Sequence, residues 1–201
     1  MNLNKRKLST RQTVLGGLFI AIFFLASNLI PAFYVIPNVP VTLQILVVAL
    51  MGAMLGLRGG LLSLAGLYAA TAVGLPMMSG FSGGLAAFAH PTVGYILGWV
   101  LLVAAVGFTS DRLSHKKVTG GMGHVGFATI LFAVMLVGVL LDYLCGSIFL
   151  CVYNGYALRA LGGLFIANFT FLPFDAIKCA AASAICVFFA YTPGLSVARQ
   201  A

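Results

Sequence analysis

Six stretches of this chain, at about positions 13–31, 41–57, 60–75, 92–110, 125–151 and 173–191, are almost wholly apolar. Each approaches the ~20 residues needed to cross the hydrocarbon core of a bilayer. A soluble domain has too little interior to hide them. Hydrophobic residues make up 62% of the 201 positions, against ~45–50% in an ordinary globular domain. No ten-residue segments of period-two alternation recur, which argues against a membrane β-barrel. The expectation is therefore an all-α integral membrane protein with six transmembrane helices in a single domain, 1–201, behind a basic segment at 1–12. The second and third spans are short and separated only by Gly56-Leu57-Arg58-Gly59-Gly60, which reads as a tight helical hairpin turn. The fifth is long enough to tilt or to protrude. The run at 15–31 follows basic residues as a signal peptide would. It is too long for one and lacks a small-residue cleavage site, so it reads as the first retained helix.

A net charge of +8 suggests nucleic acid until its distribution is considered. With six spans and both ends on one side, that side holds Lys5, Arg6, Lys7, Arg11, Arg58, Arg112, Lys116, Lys117 and Arg199. The opposite loops hold Arg159 alone, and Lys178 falls inside a span. The positive-inside rule then predicts a multi-pass protein of the cytoplasmic membrane with both termini in the cytoplasm. The basic excess serves topology and contact with anionic headgroups of the lipid bilayer, with no role for nucleic acid.

This orientation sorts the polar residues. The outer loops become 31–40, 74–91 and 152–172. Around them lie Asn38, Thr42, Gln44, Ser79, Ser82, Thr92, Tyr95, Asn154, Tyr156 and Asn168. Asp142 and Tyr143 fall in the outer half of the fifth span, and Asp175 and Lys178 open the sixth at the same end. The chain has only three acidic residues, so a carboxylate and an ammonium one helical turn apart at membrane depth mark a functional site. The i, i+3 spacing puts both on one helix face, able to pair with each other or to grip one polar ligand. The alternative is a structural ion pair tethering the helix end. Asp142 reads either as a proton-relay group or as a structural Asp beside Tyr143.

The segment Gly74-Leu75-Pro76-Met77-Met78-Ser79-Gly80-Phe81-Ser82-Gly83-Gly84 is rich in small residues and turn formers. Irregular backbone at this depth is tolerated where it lines a cavity. The loop can act as a gate, with Gly80, Gly83 and Gly84 absorbing dihedral changes, or as a plain re-entrant connector. Gly80-Phe81-Ser82-Gly83-Gly84 also matches the nucleophile-elbow pattern, which keeps an intramembrane serine protease as one alternative. Its only base on this side is His90, since His115 and His124 fall in a cytoplasmic loop. Cys145, Cys151, Cys179 and Cys186 have no metal-type spacing, and neither a metal site, a P-loop nor a dinucleotide fingerprint is present. The chain therefore reads as no enzyme, without catalytic residues or cofactor, and concentrative transport needs partner ATPases or an ion gradient. A proton-coupled transporter of another small solute, using Asp142 and Asp175, is the second alternative. On the first helix Thr13, Gly17 and Ala21 recur every four positions, a small-residue stripe that suits either an internal seam or a second membrane subunit.

Several segments resemble one family in order along the chain. They are Pro40-Val41-Thr42-Leu43-Gln44, Gly74-Leu75-Pro76, Gly80-Phe81-Ser82-Gly83-Gly84, Pro91-Thr92-x-Gly94-Tyr95-x-x-Gly98 and Phe171-Leu172-Pro173-x-Asp175-x-x-Lys178. Together they look like the BioY family, the biotin-specific S components of energy-coupling factor transporters. His90, Val93 and Phe174 depart from its usual glycines, and Asp142 is not part of its pattern. The resemblance implies a six-helix S-component bundle that captures biotin from outside. It further implies association with a transmembrane coupling subunit and two cytoplasmic ABC-type ATPases. On this reading Asp175 and Lys178 meet the ligand's polar groups, and Thr42, Gln44, Ser82, Asp142 and Tyr143 add to the polar set. Tyr95 and Phe88 pack on the ring system, and the Thr13, Gly17, Ala21 stripe contacts the partner.

Overall fold

A computed structural model describes residues 10–29, 33–36, 39–118 and 123–191. The basic residues Lys5, Arg6, Lys7 and Arg199 and the loop residue Asn38 lie outside them. Helix α1 spans Thr10–Asn28. A short antiparallel pair follows, β1 (Phe33–Ile36) and β2 (Val39–Val41). Then come α2 (Gln44–Ala72), α3 (Val93–Val118), α4 (His124–Tyr153), the short α5 (Leu161–Ala167) and α6 (Leu172–Tyr191). The architecture is thus nearly all helical. Among the described residues, five helices, α1, α2, α3, α4 and α6, are long and apolar enough to cross a membrane.

The count of five rather than six has a local cause. The second and third expected spans form one segment, α2, that breaks at Gly56, where φ is 75° and ψ is −175°. That region of backbone space is open essentially to glycine alone. The two halves fold back on each other. A Cβ on Gly60 would lie 3.1 Å from the Met51 carbonyl and 3.2 Å from the Gly52 Cα. Both outer ends of α2 also meet the end of α1. Gln44 Nε2 donates to Ser27 Oγ at 2.9 Å, and Asn28 Nδ2 donates to the Pro76 carbonyl at 3.0 Å. The expected hairpin is therefore present, with Gly56 as its hinge.

An unbroken helix would aim the Leu57 N–H at the Ala53 carbonyl. At the break, α3 takes over both groups. Asp111 Oδ2 accepts from the Leu57 N–H at 3.0 Å, and Ser110 Oγ donates to the Ala53 carbonyl at 2.6 Å. Leaving either buried backbone group unsatisfied would cost about 1–3 kcal/mol. Gly107 lets α3 seat this closely, since a Cβ there would sit 2.7 Å from the Leu57 nitrogen.

α3 lies centrally, packed against α2 on one side and α4 on the other. Phe23 of α1 and Trp99 of α3 meet edge to face at 5.4 Å inside the core. Large apolar side chains remain on the outside, among them Val14, Leu18 and Leu25 on α1, Val137 and Ile148 on α4, and Ile177 and Phe188 on α6. A helix apolar all round is suited to lipid on one face and protein on the other. One expectation needs correction. The stretch at 152–172, read as a loop, contains α5 flanked by 3₁₀ turns at Leu158–Ala160 and Asn168–Thr170. The helix that carries the fourth span, α3, continues beyond position 110 to Val118.

Candidate ligand-binding site

The end of the bundle opposite the Gly56 hinge holds a cavity of about 350 Å³. That volume suits a single small metabolite. Its wall is assembled from several elements that meet there: Val41 of β2, Thr42, Gln44 and Ile45 at the start of α2, and Met78, Ser79 and Ser82 of the following loop. Ile96 and Trp99 of α3 and Phe171 before α6 supply further apolar surface, with Tyr95 beside them. Asp142 and Tyr143 of α4 and Asp175 and Lys178 of α6 complete it.

Asp175 sits in the first turn of α6, where the helix dipole favours a carboxylate. Its two oxygens have different partners. Lys178 Nζ donates to Oδ1 at 2.7 Å, and the Tyr143 hydroxyl donates to Oδ2 at 2.5 Å. All three side chains are buried. A buried ion pair survives desolvation when further hydrogen bonds satisfy its remaining atoms, and Tyr143 supplies one from α4. Lys178 has spent one of its three N–H donors on Asp175.

The polar groups of α2 are held in a second chain of bonds. The Thr42 hydroxyl donates to Gln44 Oε1 at 2.9 Å, and Gln44 Nε2 continues to Ser27 on α1. A third chain ties α3, α4 and α5 together. The Tyr95 hydroxyl donates to Asn168 Oδ1 at 2.7 Å, and Asn168 Nδ2 donates to Ser147 Oγ and to the Leu164 carbonyl, both at 2.9 Å. Asn168 and Ser147 were not singled out as site residues in the sequence. Asn168 stood out only as an outer polar residue, and Ser147 gave no signal.

The loop after α2 is ordered by its backbone. Met78 and Ser82 pair across a tight turn, with N–H to carbonyl distances of 3.0 and 3.2 Å. Gly80 and Gly84 each have φ of 73°, and Gly83 passes so close to the Leu75 carbonyl that a Cβ would collide with it. Asn28 at the end of α1 clamps both limbs. Its Nδ2 donates to the Pro76 carbonyl, and its Oδ1 accepts from the Phe81 N–H at 2.6 Å.

The structure thus brings Thr42, Gln44, Ser82, Tyr95, Asp142, Tyr143, Asp175 and Lys178 to one cavity. Phe88 is placed apart from them. It is not on the cavity wall, because the 3₁₀ turn Leu85–Phe88 turns Ala87 inward and sets Phe88 edge-on to Tyr68 at 6.1 Å. His90 does reach the wall, with Nδ1 2.9 Å from Thr92 Oγ1. No hydrogen bond joins it to Ser82 among the described residues, and none of their His, Cys, Asp and Glu side chains gather as a metal site. The stripe of Thr13, Gly17 and Ala21 lies on the exposed face of α1. It is Gly16, one residue before Gly17, that packs inward against Ser63 of α2.

Comparison with known proteins bears on this geometry. The model of the BioY family matches residues 2–192. A biotin transporter BioY of Rhizobium etli is 34% identical over 176 residues, 88% of this chain and 91% of the relative. Another, from Lactococcus lactis subsp. cremoris, is 30% identical over 169 residues, 83% of this chain and 84% of the relative. A crystal structure of the S-component for biotin from an ECF-type ABC transporter superposes with a TM-score of 0.77 at 25% identity, covering 95% of this chain and 98% of that one. Family, fold and a polar cavity at one end of a membrane bundle therefore agree, and the chain belongs to the BioY family.

Proposed function

We infer that this chain captures biotin at the outer face of the cytoplasmic membrane, as the substrate-binding subunit of an energy-coupling factor transporter. The reading rests above all on the buried Asp175–Lys178 pair, braced by Tyr143, on the wall of the cavity. Biotin offers a ureido ring with two N–H donors and one carbonyl, an apolar thiophane ring and chain, and a carboxylate. Lys178 retains donors for the ureido oxygen or the carboxylate, and Trp99, Ile96 and Phe171 provide apolar surface for the rings. Charge-assisted bonds in a desolvated site contribute about 1.5–3 kcal/mol each, so a few of them support tight capture. Titration of the purified chain in detergent is expected to show saturable binding of one biotin per chain. Absence of binding to a well-folded preparation overturns the reading.

Energy for uptake comes from partners, a transmembrane coupling subunit and two cytoplasmic ABC-type ATPases, with the termini of this chain in the cytoplasm. The exposed stripe of Thr13, Gly17 and Ala21 is the surface we assign to the coupling subunit. A Cβ added at Gly17 meets nothing within 4 Å among the described residues. Gly17→Leu is therefore expected to leave biotin binding by the isolated chain intact while abolishing uptake by the assembled transporter. Loss of both together would place the stripe inside the bundle instead.

A further inference from the structure

Trp99 is 4% exposed and lies on the cavity wall, yet its indole N–H donates to none of the described residues. An indole nitrogen is a donor only, and a buried one ordinarily finds a partner. Nor is this one sealed in. Among the described residues, the partnerless polar side-chain atoms closed off from any opening are the two oxygens of Asp142 alone. The Trp99 nitrogen therefore keeps free surface, and on a residue this buried that surface belongs to the cavity. Other donors of the wall are directed elsewhere, Thr42 to Gln44, Tyr95 to Asn168 and Tyr143 to Asp175. Lys178 gives one N–H to Asp175 and keeps the others. Depth brings Trp99 and Lys178 to one level. Both α3 and α6 begin at the cavity end of the bundle. Trp99 lies six residues after Val93, the first of α3, and Lys178 six after Leu172, the first of α6. At about 1.5 Å per residue, each stands about 9 Å inside its helix.

We propose that the Trp99 indole N–H is a ligand-binding donor that joins Lys178 on the oxygen of the ligand's head group, which makes the cavity selective for a carbonyl at that position. This rests on the biotin-capture reading and deepens it. A carbonyl oxygen has two lone pairs, one for each donor, while Asp175 accepts from the head group's N–H. Lys178 Nζ and Asp175 Oδ1 are 2.7 Å apart, so both address one end of the ligand. Biotin's carboxylate, at the far end of its valeryl chain, lies beyond them. Trp99 is then more than apolar surface. A ligand of the same shape with a donor in place of the oxygen leaves the indole N–H unpaired, and a site built to pair one group rejects an analogue lacking it.

The test is a cycle of two proteins and three ligands in detergent: wild type and Trp99→Phe, each titrated with biotin, with 2-iminobiotin, which carries an imino nitrogen in place of the ureido oxygen, and with biotin methyl ester. Trp99→Phe keeps an aromatic ring and removes the N–H. It is expected to weaken biotin binding about 10-fold, and the preference for biotin over 2-iminobiotin should fall by the same factor. The preference for biotin over its methyl ester should not change. An unchanged preference over 2-iminobiotin in the folded variant overturns the proposal. So does a preference over the ester that falls instead, because the donor then meets the carboxylate. Trp99 is the chain's single tryptophan, so the wild type has one indole N–H resonance, which reports even if the variant fails to fold. Biotin should move it downfield and 2-iminobiotin should not. A resonance that biotin leaves in place, or that both ligands move alike, overturns the proposal too. Wild type that binds no biotin fails the capture reading, and the present inference falls with it. Biotin binding with an unmoved indole resonance fails this inference alone.

Discussion

Lys178→Ala is expected to weaken biotin binding by about 2–5 kcal/mol. By affinity arithmetic that is a loss of about 30-fold to several thousand-fold, read by titration of the purified variant. The variant removes the one Lys or Arg side chain found on the cavity wall among the described residues and strands a buried carboxylate beside it. Asp175→Ala should lose a similar amount of affinity but also cost more stability. It leaves two donors without an acceptor, the ammonium of Lys178 and the hydroxyl of Tyr143. If the pair were only a tether for the start of α6, both variants would fold poorly, and the swap Asp175→Lys with Lys178→Asp would restore fold and binding together. Unchanged affinity in well-folded single variants would remove the pair from the ligand site.

How much of this site the sequence made legible depended on how far apart its partners are. The Asp175–Lys178 contact is local, fixed by helical spacing, and was readable. The Tyr143–Asp175 bond joins two helices across 32 residues, and nothing in the pattern of either helix announces it. The reason is physical. In a soluble bundle, an amphipathic face fixes each helix's rotation about its axis. Here lipid and protein interior are both apolar, so α4 carries apolar residues on every face and its rotation shows only where a polar residue must turn inward. Asp142 and Tyr143 are such residues, and they do line the cavity. Phe88 gave no comparable signal, since an aromatic ring packs equally well on a ligand or on Tyr68.

The fold was legible in its spans and less so in its joints. The glycines and arginine between positions 56 and 60 announced a turn, yet only the backbone at Gly56 identifies the hinge, and the Ser110 and Asp111 bracket across from it left no sequence signal. Residues 152–172, rich in Gly, Asn and Tyr, read as a loop. Their helical turns are fixed by Asn168, whose bonds to Tyr95, Ser147 and the Leu164 carbonyl are tertiary. Small residues were read on α1, where the spacing of Thr13, Gly17 and Ala21 is plain. A close helix crossing lies elsewhere, between Gly94 and Gly98 of α3 and the stretch of α4 around Asp142 and Gly146.

That crossing leads to the other large expected effect. A Cβ at Gly146 would land on the ring of Tyr95, and one at Gly94 would come within 2.6 Å of the Cys145 carbonyl. The two helices therefore touch backbone to backbone, a contact that lipid cannot replace and only small residues permit. Gly146→Leu must either spread α3 from α4 or drive Tyr95 out of place. Overpacking of this kind costs about 3 kcal/mol, at the upper end of its usual range. Displacing Tyr95 also breaks its bond to Asn168 and moves a residue of the cavity wall, so biotin binding should disappear along with the stability. Gly17→Leu, whose added side chain points away from the bundle, serves as the control and should melt with wild type. A Gly146→Leu protein that melts and binds as wild type does would mean that α3 and α4 stand farther apart than the ring of Tyr95 allows. The position assigned to Asp142 opposite Gly98 would then fail with it.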